Sequence, residues 1–182
     1  MKLKILYFFL LYGVISHTLS DTVCSNFEEC RERAESGDVS SQMELGMRFA
    51  NGDGINKDLS KANAWFLEAA KQGNIDGMFN IGVSYQTGSG VQKDHKEAVE
   101  WYQKASKRGH GKASLLLGDL FFKGEDVLHD EKKGTMAYLY YRLADSQGNK
   151  EAMKIVEIIH SNMPEIEKMK SDQLFSLFIQ EW

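Results

Sequence analysis

Cys24 and Cys30 are the residues of this chain best suited to covalent chemistry, because two thiols can close a disulfide. In one regular helix, a separation of six residues would put them on different faces and too far apart. However, Ser25 followed three residues later by Glu28 resembles a capping box, which starts a helix at Ser25 or Asn26. Cys24 then lies outside the helix and Cys30 one turn inside it. The sequence therefore predicts an intramolecular disulfide.

The other reactive side chains form none of the patterns that metal sites or hydrolases use. The histidines beyond residue 20, which are His95, His110, His129 and His160, include no H-x-x-x-H pair, and there is no zinc-type cysteine spacing. The chain has no Ser-x-x-Lys, Lys-Thr-Gly, G-x-S-x-G or P-loop pattern, so Ser89 between two glycines is interpreted as a turn residue. We predict no catalytic residue, no metal and no cofactor.

Length and charge suit a single globular domain that does not bind nucleic acid. The 182 residues carry a formal net charge of −4 with no long run of one sign. A nucleic-acid-binding protein would instead present clustered positive charge to the phosphates.

The first twenty residues have the layout of a secretory signal peptide. MKLK gives a positive start, ILYFFLLYGVI is apolar, and Thr18 and Ser20 suit the −3 and −1 positions of a cleavage site. The apolar run is shorter than the roughly 20 residues that a membrane-spanning helix needs. We therefore expect an exported protein whose mature form does not span the membrane; a buried first helix is the alternative interpretation.

Export would also place the two cysteines in an oxidising setting, where a disulfide persists. Lipidation of Cys24 is the alternative outcome for this segment, although Asp21-Thr22-Val23 is a poor lipidation signal.

Glycine, aspartate and aromatic residues recur along the chain at intervals of 36 residues. A fixed period of this length is the sequence signature of a repeat architecture. After Asp130 the register shifts by three residues, which predicts a short insertion near EKKGTM in the third unit. The recurring sets are Gly46, Gly82 and Gly118; Gly52, Gly88 and Gly124; Gly54 and Gly90; Asp58, Asp94 and Asp130; Trp65 and Trp101, continued by Tyr140; and Gly73 and Gly109, continued by Gly148.

Each unit reads as a first helix, a loop and a second helix. The breaks NGDG, TGSG and KGED permit turns with positive φ, and KQGN, KRGH and SQGN put glycine just past the second helix, where a C-cap favours it. Gly46, Gly82 and Gly118 fall in the middle of first helices, where glycine costs about 1 kcal/mol relative to alanine. This predicts close helix crossings, with the bulky Trp or Tyr of the second helix packed nearby.

The ends of the chain resemble unpaired helices that cover the stack. Residues 149–160 resemble a first helix without its partner, and Ile166, Met169, Leu174, Phe178 and Trp182 predict one apolar face, over one helix or two short ones, that covers the open end. The predicted segments are a signal peptide (1–20), an N-terminal capping helix with the cysteine pair (21–37), repeat 1 (38–73), repeat 2 (74–109), repeat 3 (110–148) and C-terminal capping helices (149–182).

The unit GMFNIGVSYQTGSGVQKDHKEAVEWYQKASKRG resembles the Sel-one-like repeat (SLR), a relative of the tetratricopeptide repeat. The resemblance covers roughly residues 26–160. Unit one has Phe49 and Ile55 where the pattern has Tyr and Val, and Asp126 replaces the second loop glycine in unit three. The resemblance implies an all-α fold, an α/α superhelical solenoid of antiparallel helix pairs, whose concave face binds other proteins.

In this repeat class the first helices line the concave side, and the positions between their core residues turn toward the groove. Exposed Met and Phe side chains there are typical of a contact site; packing of some of them against neighbouring repeats is the alternative. The predicted core residues are Leu45, Phe49, Ile81, Tyr85, Leu117 and Phe121. The predicted groove residues are Met43, Met47, Ala50, Phe79, Asn80, Val83, Gln86, Leu115, Asp119 and Phe122.

The resemblance implies a non-enzymatic module that binds another protein, in a bacterial periplasm or as a secreted protein. Short exported members of the family serve as immunity proteins that capture toxic effectors such as secreted phospholipases; an envelope adaptor is an equal alternative. Some secreted, cysteine-rich members are β-lactamases or penicillin-binding proteins, so a hydrolase is the remaining alternative. Those members carry a cysteine pair in each repeat, whereas this chain has a single pair outside its full repeats.

Overall fold

The computed structural model describes residue 24, residues 26–124 and residues 133–182, which contain nine α-helices and no strand. The signal peptide predicted for residues 1–20 lies outside the described residues, as does part of the insertion predicted near EKKGTM. The helices are α1 (Phe27–Glu35), α2 (Val39–Asn51), α3 (Leu59–Lys71), α4 (Ile75–Thr87), α5 (His95–Ser106), α6 (Gly111–Lys123), α7 (Lys133–Ser146), α8 (Lys150–Ser161) and α9 (Glu165–Glu181).

Consecutive helices stack as antiparallel pairs, which confirms the predicted all-α solenoid. The closest pairs are α2 with α3, α4 with α5 and α6 with α7, while α1 lies on α2 and α8 lies on α7. Of the residues predicted for the core, Leu45, Ile81, Leu117 and Phe121 are buried, and Phe49 and Tyr85 are half-buried against the smaller core cluster.

A glycine and a capping side chain begin each first helix. Gly73 adopts a φ of 91°, and Asn74 then accepts a hydrogen bond from the Gly77 N–H at 2.7 Å. The same arrangement recurs at Gly37–Asp38, Gly109–His110 and Gly148–Asn149. The C-cap role predicted for the glycines is thereby confirmed, and each junction satisfies backbone groups that a helix end leaves without partners.

The glycines in the middle of the first helices lie where each of these helices crosses its second helix. A Cβ at Gly46, Gly82 or Gly118 would lie 2.5 to 2.6 Å from an aromatic ring of the second helix. The predicted close crossing is therefore confirmed, but the predicted partner is wrong. The rings belong to Phe66, Tyr102 and Tyr141, each one residue after the Trp or Tyr of the pattern.

A long polar side chain at the end of each second helix bonds to the repeat before it. Each of these side chains donates a hydrogen bond to a backbone carbonyl some 35 to 41 residues earlier in the chain. These bonds tie each repeat to its predecessor as well as to its own core. They join Gln72 Nε2 to Gly37 O at 3.1 Å, Arg108 Nη1 to Gly73 O at 2.9 Å, and Gln147 Nε2 to Ser106 O at 2.9 Å.

The loop after α4 lies on the N-terminal end of α3. Asn63 Nδ2 donates to the Ser89 carbonyl at 2.7 Å, and the Ser60 hydroxyl donates to the Gly90 carbonyl at 3.1 Å. The backbones approach so closely that a Cβ at Gly90 would lie 2.5 Å from the carbonyl carbon of Leu59. Ser89 thus belongs to a turn that docks on the preceding repeat.

The N-terminal end of the stack is fastened by the disulfide between Cys24 and Cys30, as predicted. Both residues are buried, and their Cα atoms lie 5.0 Å apart. Asn26, one of the two predicted caps, accepts a hydrogen bond from the Glu29 N–H at 2.9 Å. Arg48 of α2 donates to the Cys24 carbonyl at 3.4 Å, so the bridge is attached to the first repeat.

The C-terminal segment forms one helix, α9, which packs on α7. The Trp182 ring lies 5.3 Å from Tyr140 and 5.1 Å from Phe178. Arg142 of α7 donates to the Asp172 carboxylate at 2.6 Å. These contacts fix which side of α9 faces the stack.

The docked side of α9 differs from the predicted one at three positions. Phe178 and Trp182 pack against the core as expected, but Ile166, Met169 and Leu174 are exposed. Periodicity alone could not distinguish the sides, because α9 carries apolar residues on more than one of them.

Candidate functional site

The first-helix face is the surface of α2, α4 and α6 formed by the ten predicted groove residues. On α2, Met47 is 43% exposed. Met43 and Ala50 are half-buried and pack against the smaller core cluster. Only Met47 therefore offers α2 a substantial apolar contact surface.

On α4, the predicted groove residues Phe79, Asn80, Val83 and Gln86 are all half-buried. The Phe79 ring stacks on His110 with centroids 4.4 Å apart and lies 5.9 Å from Tyr102. Gln86 accepts a hydrogen bond from the Tyr102 hydroxyl at 2.6 Å, and burial raises the pKa of Tyr102. Phe79 is thus held by Tyr102 of its own repeat and by His110 at the start of α6, and Gln86 is held by Tyr102.

On α6, the three predicted residues differ in exposure. Leu115 is 7% exposed and packs in the main core cluster, so its side chain offers a partner little surface. Asp119 accepts a hydrogen bond from the Tyr141 hydroxyl at 2.9 Å, and burial together with this carboxylate raises the pKa of Tyr141. Phe122, in contrast, is 72% exposed.

Phe79 and Leu115 meet in a cavity of about 590 Å³, the first-helix pocket. Leu116 completes its apolar lining, and three successive first helices, α4, α6 and α8, surround it. Sequence reasoning missed the contribution of α8, which it treated only as a cap. The repeat pattern could have predicted this contribution, because it aligns Asn149, at the start of α8, with His110, at the start of α6.

The rim of the first-helix pocket is more positive than negative. Lys112 and Lys150 lie there together with Glu151, and α6 and α8 direct their N-terminal ends to the same place. A helix N-terminus carries a partial positive charge. The pocket therefore combines an apolar floor with a rim that attracts negatively charged groups.

The N-terminal end of α6 is held by the imidazole of His110. Its Nδ1 accepts a hydrogen bond from the Ala113 N–H at 3.1 Å, and its Nε2 lies 3.4 Å from Asp76 of α4. Because the ring also stacks on Phe79, one side chain fixes both the helix end and the pocket floor. A pocket whose walls are fixed in this way would need little rearrangement to accept a ligand.

A second cavity, the C-terminal groove, has a volume of about 580 Å³ and lies between α7, α8 and α9. Phe122 lines its edge, so this residue belongs to both surfaces. The sequence did not predict the groove, because its walls come from helices that pack at an angle set by tertiary contacts. The remaining apolar walls come from Ala137, Tyr138, Leu139, Tyr141, Ile155, Ile158, Ile159, Met163 and Leu174.

Within residues 24, 26–124 and 133–182, no group of three or more His, Cys, Asp or Glu side chains could hold a metal ion. None of the helices in these same residues is long and apolar enough to cross a bilayer.

The profile of the Sel1 repeat family matches residues 39–74, 75–110 and 111–149, more than half of the chain. The chain belongs to the Sel1 repeat family. Sel1 repeats form protein-interaction modules related to tetratricopeptide repeats. The third Sel1 repeat is three residues longer than the first two, 39 against 36, in agreement with the shift seen after Asp130.

Solved Sel1 repeat structures resemble this chain over about 70% of its length. A protective antigen with an SLR fold, present in uropathogenic Escherichia coli strains, is 34% identical, with a TM-score of 0.64 over 69% of this chain and 26% of that one. A Sel1 repeat protein from Oxalobacter formigenes is 29% identical, with a TM-score of 0.65 over 71% of this chain and 51% of that one.

Among curated proteins, the secretory immunoglobulin A-binding protein EsiB of Escherichia coli O6:H1 is 43% identical over 44 residues. The match covers 24% of this chain and 9% of EsiB. The chain therefore spans only a small part of the curated relative and about half or less of the two solved structures.

Proposed function

We propose that this Sel1 repeat protein is an exported module that binds another protein through its first-helix face. The observation that carries the proposal is the first-helix pocket, in which three successive first helices, α4, α6 and α8, combine an apolar floor with a largely cationic rim. Apolar pockets that receive an anchoring side chain are typical of the energetic centre of a protein interface.

The partner segment that suits this surface carries an apolar anchor next to acidic residues. The anchor fits between Phe79 and Leu116, while Lys112 and Lys150 attract the neighbouring carboxylates. Met47 and Phe122 add exposed apolar contacts toward the two ends of the face. An extended segment or a helix could reach all three places along the stack.

Two features support export. Residues 1–20 have a signal-peptide layout, and the Cys24–Cys30 disulfide is a bond that persists in oxidising compartments. A periplasmic or secreted location follows, and cell fractionation tests it. Recovery of the full-length chain from the cytoplasm alone would reject this part of the proposal.

In its most specific form, the proposal makes the partner a toxic effector, such as a phospholipase, that this protein neutralises; an envelope adaptor is the other form. The two forms differ in phenotype. Deleting the gene of an immunity protein sensitises cells to an effector encoded beside it, whereas deleting an adaptor changes envelope assembly without any such toxin. Co-expression of a neighbouring effector gene with and without this chain separates them.

Binding is tested by purifying the protein from periplasmic extract with its bound partner. We expect Met47→Glu combined with Lys112→Glu to weaken partner binding roughly 30-fold or more, because both replace exposed contacts without entering the core. Ala64→Glu is the matched control, since Ala64 is exposed on α3, a second helix. Circular dichroism checks that the unaltered protein, the double variant and the control are all folded. If all three then recover the same amount of partner, the proposed face is contradicted.

The proposed function includes no catalytic step. Both cysteines are bonded to each other, and the sequence lacks the Ser-x-x-Lys pattern of penicillin-recognising enzymes. The purified protein is accordingly expected to leave a chromogenic cephalosporin intact.

A further inference from the structure

Helix α9 has apolar residues on two opposite sides. One side, formed by Phe175, Phe178 and Trp182, packs on the core. The other side carries Ile166 and Leu177, eleven residues or about three helical turns apart, and both are exposed. A helix that only covered the end of a solenoid would need a polar outer side, so the second apolar side requires another explanation.

Contacts to α7 prevent α9 from rotating to bury its second apolar side. Arg142 lies 4.3 Å from the centre of the Phe175 ring, and its guanidinium donates to Asp172 at 2.6 Å. The Trp182 ring packs edge-on against Tyr140 at 5.3 Å. Both apolar sides of α9 cannot face the same core, so Ile166 and Leu177 stay outside the monomer.

The exposed side of α9 continues into a larger surface, the C-terminal apolar surface. Its members lie on α6, α8 and α9, and several line or border the C-terminal groove. Their exposed areas sum to on the order of 700 Å², and apolar exposure on this scale is typical of an interaction site. The exposed fractions are 72% for Phe122, 63% for Ile158, 69% for Ile166, 68% for Met169, 46% for Leu174 and 53% for Leu177.

We infer that this surface joins two copies of the chain in a two-fold dimer through antiparallel α9 helices. A standard protein interface buries about 800 Å² per partner, and the C-terminal apolar surface supplies an area of that size. Because a two-fold interface uses the same patch on both copies, no second complementary surface is needed.

The spacing along α9 fits this pairing. Ile166, Lys170, Gln173 and Leu177 follow one another at intervals of four, three and four residues, which places them on one seam. With the two-fold axis between residues 171 and 172, Ile166 of one copy faces Leu177 of the second copy, and Lys170 faces Gln173. Polar residues in the middle of such a seam fix register and orientation.

The charges in and beside the seam are compatible with self-association. Glu167 and Lys170 both lie at the C-terminal groove, so the patch carries both signs and two copies do not present a single repelling charge to each other. Met47 lies on α2 in the first repeat and takes no part in this contact.

Sedimentation velocity on protein purified from cells that express the full chain tests the dimer. We expect the unaltered protein to sediment as a dimer, and Ile166→Lys and Leu177→Glu each to raise the dissociation constant by about 100-fold or more, because each places unpaired charges in the seam. Met47→Glu, which also charges an exposed methionine, should remain dimeric. Circular dichroism checks that every variant is folded.

A mixing experiment tests the antiparallel register itself. When Ile166→Lys protein is mixed with Leu177→Glu protein, the new lysine faces the new glutamate across one end of the seam, while the other end keeps its native pair. We expect the mixture to recover a heterodimer that neither variant forms alone. A monomeric unaltered protein at every concentration, or single variants that dissociate without recovery on mixing, would overturn the inference.

Discussion

Gly54 and Gly90 occupy the same position in successive repeats but have different surroundings. Both have a φ of 74°, a conformation that costs a residue with a Cβ about 1–2 kcal/mol. A Cβ at Gly54 would meet no atom within 4 Å, whereas one at Gly90 would collide with the backbone of Leu59. A substitution at Gly54 therefore reports backbone strain alone, whereas a substitution at Gly90 reports the same strain together with the loss of the loop contact.

We predict that Gly90→Ala lowers the free energy of unfolding by about 3 kcal/mol or more, and Gly54→Ala by about 1–2 kcal/mol. The excess arises because the loop must leave α3 and lose the hydrogen bonds from Ser60 and Asn63. Urea unfolding of both variants gives the comparison. Equal losses at the two positions would show that the loop contact contributes nothing.

Single residues also show how far the sequence could predict the packing. The recurrence of Gly46, Gly82 and Gly118 indicated a close crossing, because glycine destabilises the middle of a helix and suits it best where a neighbour leaves no room for a side chain. It could not show which neighbouring ring fills the space. Tyr102 contacts Gly82, while Trp101 packs beside it against both core clusters. Adjacent residues of a helix point about 100° apart, so that choice depends on how the two helices cross.

At the scale of elements, α1 depends on the disulfide more than any other helix does. It is 9 residues long, too short to be stable by itself. It packs on α2 through Ala34 and through the edge-on contact of Phe27 with Phe49, whose ring centroids lie 6.0 Å apart. The disulfide joins Cys24 to Cys30 of α1 and so holds the residues before the helix against its first turns.

We predict that replacing Cys24 and Cys30 together by alanine costs about 2 kcal/mol, the chain-entropy value for so short a loop. The loss should be local. Amide hydrogen exchange should accelerate in α1 and leave α6 unchanged, because α6 lies two repeats away. Uniform acceleration in both helices would show that the bridge stabilises the whole stack instead.

Helices and caps were predictable because their signals are local. The spacing of Ser25 and Glu28, which starts α1 at Ser25 or Asn26, and the glycines that end second helices can all be recognised without knowing which residues pack together. Helix α9 shows the limit. Its length and apolar character were visible, but Arg142 and Tyr140 of α7 select its docked side, and neither interaction leaves a periodic signal in the sequence.

At the scale of the whole molecule, buried tyrosines in the repeats make the free energy of unfolding depend on pH. Burial raises the pKa of Tyr140 to about 12, although Gln103 partly opposes this by donating to its hydroxyl at 3.0 Å. Burial also raises the pKa values of Tyr102 and Tyr141. In the unfolded chain these groups titrate near pH 10, so the folded state holds its phenolic protons more tightly.

A raised folded-state pKa contributes stability that is complete below the unfolded value and is lost as the pH rises toward the folded value. We therefore predict constant stability between about pH 8 and 9.5 and a loss above about pH 10, with each buried tyrosine adding up to about 1.4 kcal/mol per pH unit. Tyr140→Phe should make this slope shallower by about one third. Urea midpoints across the pH range measure it, and an unchanged slope in the variant would contradict the assignment.

The candidate site was only partly predictable at this scale. The sequence identified the helices of the first-helix face, and Met47 and Phe122 are exposed there. It could not show that Leu115 is buried or that α8 completes the pocket, because both follow from how each repeat rotates on the one before. Three members of the C-terminal apolar surface, Ile166, Met169 and Leu174, were predicted to cover the open end of the stack, but all three are exposed.

The hydrogen bonds from Gln72, Arg108 and Gln147 all run backward, from a later repeat to a carbonyl of an earlier one. When the chain leaves the ribosome N-terminus first, each of these carbonyls therefore lacks its side-chain partner until the following unit has emerged. That partner arrives only with the end of the following unit, about 36 residues later. The hydrogen bonds between successive units therefore form in chain order during synthesis, each one when the later unit has emerged.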